Sequence, residues 1–463
     1  MKALKTIFII LFVMMITIPM LLFNFQEDYV SQADNRVLQN NPFLHPDELG
    51  DPFELSSEMT SYCNDRVGLR QEAMSLYNTL NDKAFGVMEH PYYMKGQDGY
   101  IFMRKEANVV FSDFHRNFAR MIVLIDQYCK ERGTPFLFVF EPEKLSVMRE
   151  YAPAGMVYDN SWVDEFLSIL EENGVDYVDN TEILMEKYAQ GEPVFNKQYD
   201  AGHWNDIGAF YGVNYILKHL QSSIPEIHIN TEAEFDIGTE DVVDLQQNGL
   251  KVEETVPLYT PKREIEYQND SYEEELKLNK DHHYFNHFVN DQVSSPRILC
   301  FQGSYMNTRG YKFMANALRD YTAVHDYENI FDFEYYYNIF EPEYVIFEVA
   351  EYTFLDMFFD PDRLAEFETD PAPASFDTFA REERSIEDIH VAADVGESVT
   401  DISVTGLPRE TDYAYAVMNG REYGIRLSED GASFSVSSDR FLKDELTVIA
   451  VDTAEEKKTV FRP

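Results

Sequence analysis

Short apolar runs, each bordered by a stretch with helical spacing, leave this chain few folds to choose from. Phe136 to Phe140 follows Pro135 and is apolar throughout, as suits a strand covered on both faces. Before it, Phe118, Met121, Ile122, Leu124, Ile125 and Tyr128 recur at helical spacing between about Phe114 and Arg132, and Gly133 stops the helix. The alternation continues with a helix at about 161–172, a stop at Gly174, a strand from Val175 to Val178 and a helix from Thr181. Much later Arg297 to Phe301 reads as a strand, Met306 to Arg319 as a helix and Tyr344 to Val349 as a further strand. Strands alternating with helices predict a mostly parallel sheet with helices on both faces, an α/β/α sandwich. Residues 228–296 are acidic and polar and are expected to be an insertion or an antiparallel excursion. From about 386 onward Ser398 to Val404, Tyr413 to Val417, Ser433 to Val436 and Leu446 to Val451 alternate over short spans, which predicts a small β-sandwich.

The two ends of the chain set its surroundings. Ile7 to Phe23 is apolar apart from Thr17 and Pro19, with Lys2 and Lys5 before it and Glu27 and Asp28 after it. As a helix this run spans about 26 Å at 1.5 Å per residue, enough for a thin bilayer. It exits through Leu21, Leu22, Phe23, Asn24 and Phe25, without the small residues of a signal-peptidase site, so an uncleaved anchor is expected. The flanking lysines place the rest of the chain outside the cytoplasm, on the far side of the cell membrane. The expected division is an anchor at 1–25, a catalytic-type domain at 26–385 and a β-sandwich at 386–463. Lys and Arg total 38 against 83 Asp and Glu, a formal charge of −45 that argues against nucleic acid as a partner. Three widely spaced cysteines, Cys63, Cys129 and Cys300, give neither a disulfide framework nor a CxxC metal pair.

Two segments carry reactive residues where an α/β sheet exposes its functional edge. In Tyr199-Asp200-Ala201-Gly202-His203-Trp204-Asn205, just before a helix starting near Ile207, the carboxylate of Asp200 can fold back on one ring nitrogen of His203 and leave the other for a nucleophile. In Cys300-Phe301-Gln302-Gly303-Ser304-Tyr305 a strand runs into a helix, and Ser304 at the turn is the candidate nucleophile. Backbone amides at that helix start are expected to stabilise charge developing on an acyl oxygen. Asp200 would orient and His203 would act as base.

These segments, with others in the same order, resemble the SGNH-hydrolase-like polysaccharide O-acetylation proteins of bacterial envelopes, the group that includes the alginate O-acetylation proteins and the DHHW family. The similarity runs through Asp34-Asn35-Arg36-Val37-Leu38 with Pro42, Asp65-Arg66 with Arg70, and Lys95-Gly96-Gln97-Asp98-Gly99-Tyr100-Ile101-Phe102. It continues through Glu141-Pro142-Glu143-Lys144, through Asp200 to Trp204 followed by Gly208-Ala209, and through Gln302-Gly303-Ser304-Tyr305. It covers roughly residues 34–355, with the Asp and His ahead of the serine as in that family. The resemblance implies transfer of an acetyl group onto a cell-envelope polysaccharide through an acetyl-Ser304, with His203 as general base and then acid. It also implies a membrane-bound O-acyltransferase as acetyl donor, and no metal or cofactor. Two departures stand out. Ala201 and Gly202 both intervene between Asp200 and His203, the spacing of ordinary SGNH esterases, and Gly303 rather than Asp precedes the serine. A carbohydrate acetyl esterase with the same triad, and a non-catalytic glycan-binding surface module, are the alternative readings. Ser–His and His–Asp contacts of roughly 2.6–3.2 Å, looser in a substrate-free protein, are expected of an enzyme.

Around the triad, Tyr305, Asn307, Arg309 and Trp204 are the candidate substrate-binding residues. Trp204 has a second reading, packing the loop and holding the imidazole; Asn307 and Arg309 fit an exposed helix face equally well. Arg66, Arg70 and Lys144 read either as family residues or as salt bridges beneath the N-terminal strip. Asp281-His282-His283 with His287 resembles a ligand cluster, His283 and His287 sharing a helix face at i, i+4, but no third ligand is forced by spacing.

Overall fold

The computed structural model describes residues 2–31, 36–45, 54–85, 88, 93–104, 109–246, 250–268, 270–428 and 431–463. Asp34, Asn35, Pro46 and Pro52 of the N-terminal strip lie outside them.

A seven-stranded sheet forms the centre, in the order Tyr177–Asp179, Phe136–Glu141, Tyr344–Ala350, Arg297–Gln302, Asp320–His325, Phe285–Val289, Glu266–Tyr267. The first five strands run parallel, and Phe285–Val289 runs antiparallel to both of its neighbours, Asp320–His325 and Glu266–Tyr267. Successive side chains on a strand point to opposite faces, so the apolar runs divide between two cores. Leu137, Val139, Ile298, Cys300 and Ile346 pack on one face under the helix Asp206–Gln221. Phe136, Phe138, Phe140, Leu299, Phe301, Val345 and Phe347 pack on the other under Asp113–Glu131, Trp162–Glu172 and Phe333–Phe340. Burial on both faces is why these strands show no alternation of apolar and polar residues. This is the expected SGNH-hydrolase-like α/β/α arrangement.

The stretch after Ser304 and the placement of His287 differ from the sequence reading, whereas residues 228–296 hold antiparallel strands as in the reading of an antiparallel excursion. The helix after Ser304 has a wide π-helical turn at Met306–Gly310, continues through Tyr311–Ala317, and gives way to the unexpected strand Asp320–His325. Residues 228–296 hold a long hairpin, Phe235–Gln246 with Leu250–Pro261, and the two antiparallel edge strands of the main sheet. His287 lies on one of those strands, bonded through Nε2 to Asp320 at 3.1 Å, so it shares no helix face with His283.

At the C-terminal end, eight strands between Ala380 and Arg462 form one sheet, its first strand lying ahead of the expected boundary at 386. Arg421–Ser428 pairs with Tyr413–Met418 along its first half and with Gly431–Ser437 along its second, so the sheet folds over a shared core that includes Ile402, Val404, Ala416, Val448 and Phe461. This region docks on the α/β domain. Tyr423 donates to Glu341 Oε1 at 2.5 Å, Asn338 to the Gly424 carbonyl at 3.0 Å, and Glu275 accepts the backbone N–H groups of Glu397, Ser398 and Val399 at 2.7–2.8 Å.

At the other end, Lys2–Leu21 is one continuous helix, with mean hydropathy 2.4 over Leu4–Leu21, long and apolar enough to cross a membrane. Just beyond it the buried Arg66 guanidinium donates to the backbone carbonyls of Gln26, Leu38 and Gln39, which ties the N-terminal strip to the helix Glu54–Arg66. Among the described residues Arg66 therefore works through these carbonyl hydrogen bonds.

Candidate active site

Ser304 stands where the strand Arg297–Gln302 ends, at the carboxyl edge of the parallel strands. The turn is shaped from below by Glu348 on the neighbouring strand. Glu348 Oε2 accepts the Gly303 N–H at 2.6 Å and also faces the Met306 N–H. A Cβ on residue 303 would sit 3.2 Å from that carboxylate, which explains glycine there. Those two amides therefore serve Glu348, not an acyl oxygen as expected from the sequence. Burial pushes the Glu348 carboxyl up to about 8. Glu141, two strands' width from Ser304, is also raised by burial and by Glu348, and accepts from Asn180 at 2.8 Å.

The histidine arrives on a firmly tied loop. Asn205 caps the helix Asp206–Gln221, its side chain accepting the N–H groups of Ile207 and Gly208 at 3.0 and 3.1 Å. Trp204 is fully buried against Gly212, where a Cβ would come within 2.3 Å of the indole, and its Nε1 donates to the Tyr305 carbonyl at 3.1 Å. Tyr305 is buried too, its hydroxyl placed 2.7 Å from the Pro142 carbonyl and 2.6 Å from that of Gly202. Neither ring presents a surface to a substrate, so both act by holding the loop. Lys144 joins them: its Nζ donates to the carbonyls of Ile101 and Lys197 at 2.8 and 3.1 Å, and burial pushes it down to about 7. Three motifs distant in sequence thus meet at one ammonium group. Glu254 on the long hairpin completes the clamp by accepting the N–H groups of Lys197, Gln198 and Tyr199, each at 2.7 Å.

Asp200, at the end of that clamped segment, has a left-handed backbone with φ of 55°. Its Oδ1 lies 2.5 Å from His203 Nδ1 and accepts the His203 N–H at 3.3 Å. Burial alone would raise the Asp200 carboxyl, but the charge and hydrogen bond of His203, together with the charge of Arg309, hold it below its ordinary value. Arg309 itself pairs with buried Asp206 at 3.1 Å, beside Lys312 at 2.5 Å. Asn307 accepts from Gln302 at 3.3 Å. Both are partly accessible next to Ser304, but each already has a partner within the protein.

The expected direct contact between Ser304 and His203 is replaced by a bridge. The Tyr352 hydroxyl, just past the strand Tyr344–Ala350, is bonded to Ser304 Oγ on one side and lies 2.9 Å from His203 Nε2 on the other. Tyr327, just past Asp320–His325, also reaches Ser304 and Tyr352. Burial, above all, raises the Tyr352 hydroxyl, so it stays protonated. The result is an unbroken chain from Asp200 through His203 and Tyr352 to Ser304. Sequence reading missed Tyr352, Tyr327, Glu348 and Glu254. Only the position of Tyr352 at the end of an apolar strand marks it, and the chain has 30 tyrosines.

Residues 94–318, just under half of the chain, match the family model described as an SGNH hydrolase-like domain, acetyltransferase AlgX. Asp200, His203 and Ser304 lie inside the match and Tyr352 beyond it. Among solved structures, Bacillus cereus PatB1 aligns at 15% identity over 60% of this chain and 99% of its own, with a TM-score of 0.46. The O-acetyltransferase domain of Pseudomonas putida AlgJ aligns at 14% identity over 60% and 99%, with a TM-score of 0.42. A DHHW family protein from Eubacterium siraeum aligns at 11% identity over 61% and 100%, with a TM-score of 0.40. No curated protein sequence matches the chain. Residues 94–318 are thus similar to the SGNH hydrolase-like domain described by the AlgX acetyltransferase model.

Proposed function

We propose that this chain is a serine-dependent O-acetyltransferase, held at the outer face of the cell membrane by its N-terminal helix, that acetylates a cell-envelope polysaccharide. The observation that carries the reading is the hydrogen-bonded chain from Asp200 to Ser304 at the carboxyl edge of the sheet, in a segment that is mostly similar to an acetyltransferase family model. Ser304 Oγ attacks the carbonyl carbon of an acetyl donor, supplied by a membrane-embedded O-acyltransferase, as its proton moves towards His203. Collapse of the oxyanion expels the donor oxygen, which takes that proton back, and leaves acetyl-Ser304. A sugar hydroxyl then repeats the sequence in reverse, with His203 first as base and then as acid. Asp200 keeps the imidazole in the tautomer that leaves Nε2 free to accept, and stabilises the imidazolium once formed.

The test uses the full chain in detergent micelles with 4-nitrophenyl acetate and a panel of oligosaccharide acceptors, beside Ser304→Ala. The proposal expects nitrophenol release and acetylated sugar from the wild type and neither from the variant. Release with no sugar acetylated across the panel would favour the esterase reading. Equal release from both proteins would exclude Ser304 as nucleophile.

A further inference from the structure

We propose that the Tyr352 hydroxyl is a catalytic group, the link that carries the proton between Ser304 Oγ and His203 Nε2. This rests on the acyl-transfer reading above and adds a residue to it. The direction of each bond follows from the one before. Asp200 is an acceptor only, so it takes the Nδ1–H of His203, and the ring that is to act as a base then offers a lone pair at Nε2. The group 2.9 Å from Nε2 is the Tyr352 hydroxyl, which must therefore donate to it. With its single proton aimed at His203, Tyr352 has only oxygen lone pairs to offer Ser304, so Ser304 is the donor of the remaining bond. Every link points the same way, from the nucleophile to the base.

The tyrosine is placed for this task from several sides. Its ring packs against His203 at 5.8 Å between centroids, Tyr305 at 6.3 Å and Phe358 at 6.2 Å, and its raised ionisation keeps it a neutral proton carrier. Other charged or titratable groups facing it are Asp200, Glu348 and Tyr327. In the acylation step the Ser304 Oγ–carbon bond forms and the carbonyl electron pair moves onto its oxygen. The Ser304 proton passes to the Tyr352 oxygen as the Tyr352 proton passes to Nε2. Tyr352 ends unchanged, and imidazolium faces the Asp200 carboxylate. When the oxyanion collapses, Nε2 returns its proton to the Tyr352 oxygen as the Tyr352 proton passes to the departing oxygen, and Ser304 keeps the acetyl group.

The experiment compares wild type, Tyr352→Phe and Ser304→Ala, all as the full chain, for the pre-steady-state burst with 4-nitrophenyl acetate in mixtures of H2O and D2O. Phenylalanine keeps the ring packing and removes only the hydroxyl. The acylation rate is expected to fall by about 10²-fold or more in Tyr352→Phe. Its dependence on deuterium fraction should change from curved, for two protons in flight, to linear. A rate equal to or above wild type would overturn the proposal and make the ring an occupant that moves aside. A slower rate with an unchanged curve would also overturn it, leaving Tyr352 a positioning residue. A burst that survives in Ser304→Ala would instead defeat the acyl-transfer reading, separately from the relay.

Discussion

Ser304 has a carboxylate on each side, and the protein treats the two in opposite ways. On the loop side, Asp200 is half-buried and faces His203 and Arg309, which hold its carboxyl below its ordinary value. On the sheet side, Glu348 is buried with backbone amides as partners and Glu141 as a neighbour, and its carboxyl is raised to about 8. Burial pushes both the same way; the cationic partners decide the sign. The lesson is a division of labour, with charge kept where the proton must move and a neutral acid used as a brace under the nucleophile's turn.

The comparison breaks most visibly at Asp200. Asp200→Asn replaces an acceptor-only carboxylate with a neutral amide that can also donate, so the imidazole tautomer is no longer fixed and the imidazolium loses its counter-charge, and acylation by 4-nitrophenyl acetate is expected to fall by about 10³-fold or more. Glu348→Gln is expected to change the same rate by less than about 10-fold, because an amide oxygen still accepts the Gly303 N–H. Equal losses in the two variants would contradict the division.

The pH dependence of stability sharpens it. A carboxyl raised in the folded state is ionised earlier in the unfolded chain. Glu348 therefore lowers stability progressively as pH rises from roughly 4.5 to 8, and Glu348→Gln should remove that fall in denaturant titrations across this range. Asp200 has the opposite sign. Its contribution is full above its unfolded value near 4 and is lost as pH falls through the lower folded value, so Asp200→Asn should flatten the acid limb instead.

Smaller effects come from the brace and the staple. Gly303→Ala drives a methyl against the Glu348 carboxylate, and a loss of about 2 kcal/mol is expected by thermal unfolding at pH 6. Tyr305→Phe leaves the Pro142 and Gly202 carbonyls without their buried donor and should cost about 1 kcal/mol, with a modest drop in rate as the His203 loop loosens.

The contrast also explains what could be read from sequence. Phe136–Glu141, Arg297–Gln302 and Tyr344–Ala350 were legible because burial on both faces writes a contiguous apolar run into the chain. Asp320–His325 was not, since Thr322 and His325 interrupt its pattern even though both are buried. Asp200, His203 and Ser304 stand in short local motifs at element ends, where spacing carries information. Tyr352 and Glu348 belong to the site only because the strand Tyr344–Ala350 lies beside Arg297–Gln302, a tertiary fact with no local trace. Tyr305 is buried where a substrate-facing ring is expected, because adjacency in sequence to a reactive residue does not reveal which way a ring turns, while the buried Trp204 follows its packing reading.

The central claim is a covalent acetyl-serine at residue 304. The most direct measurement is peptide mass spectrometry of the full chain, mixed briefly with 4-nitrophenyl acetate and quenched in acid, beside Ser304→Ala. One acetyl group on the peptide holding Ser304, absent from the variant, is the predicted result. Acetylation elsewhere in the chain with none on that peptide, or the same burst from both proteins, would contradict the account.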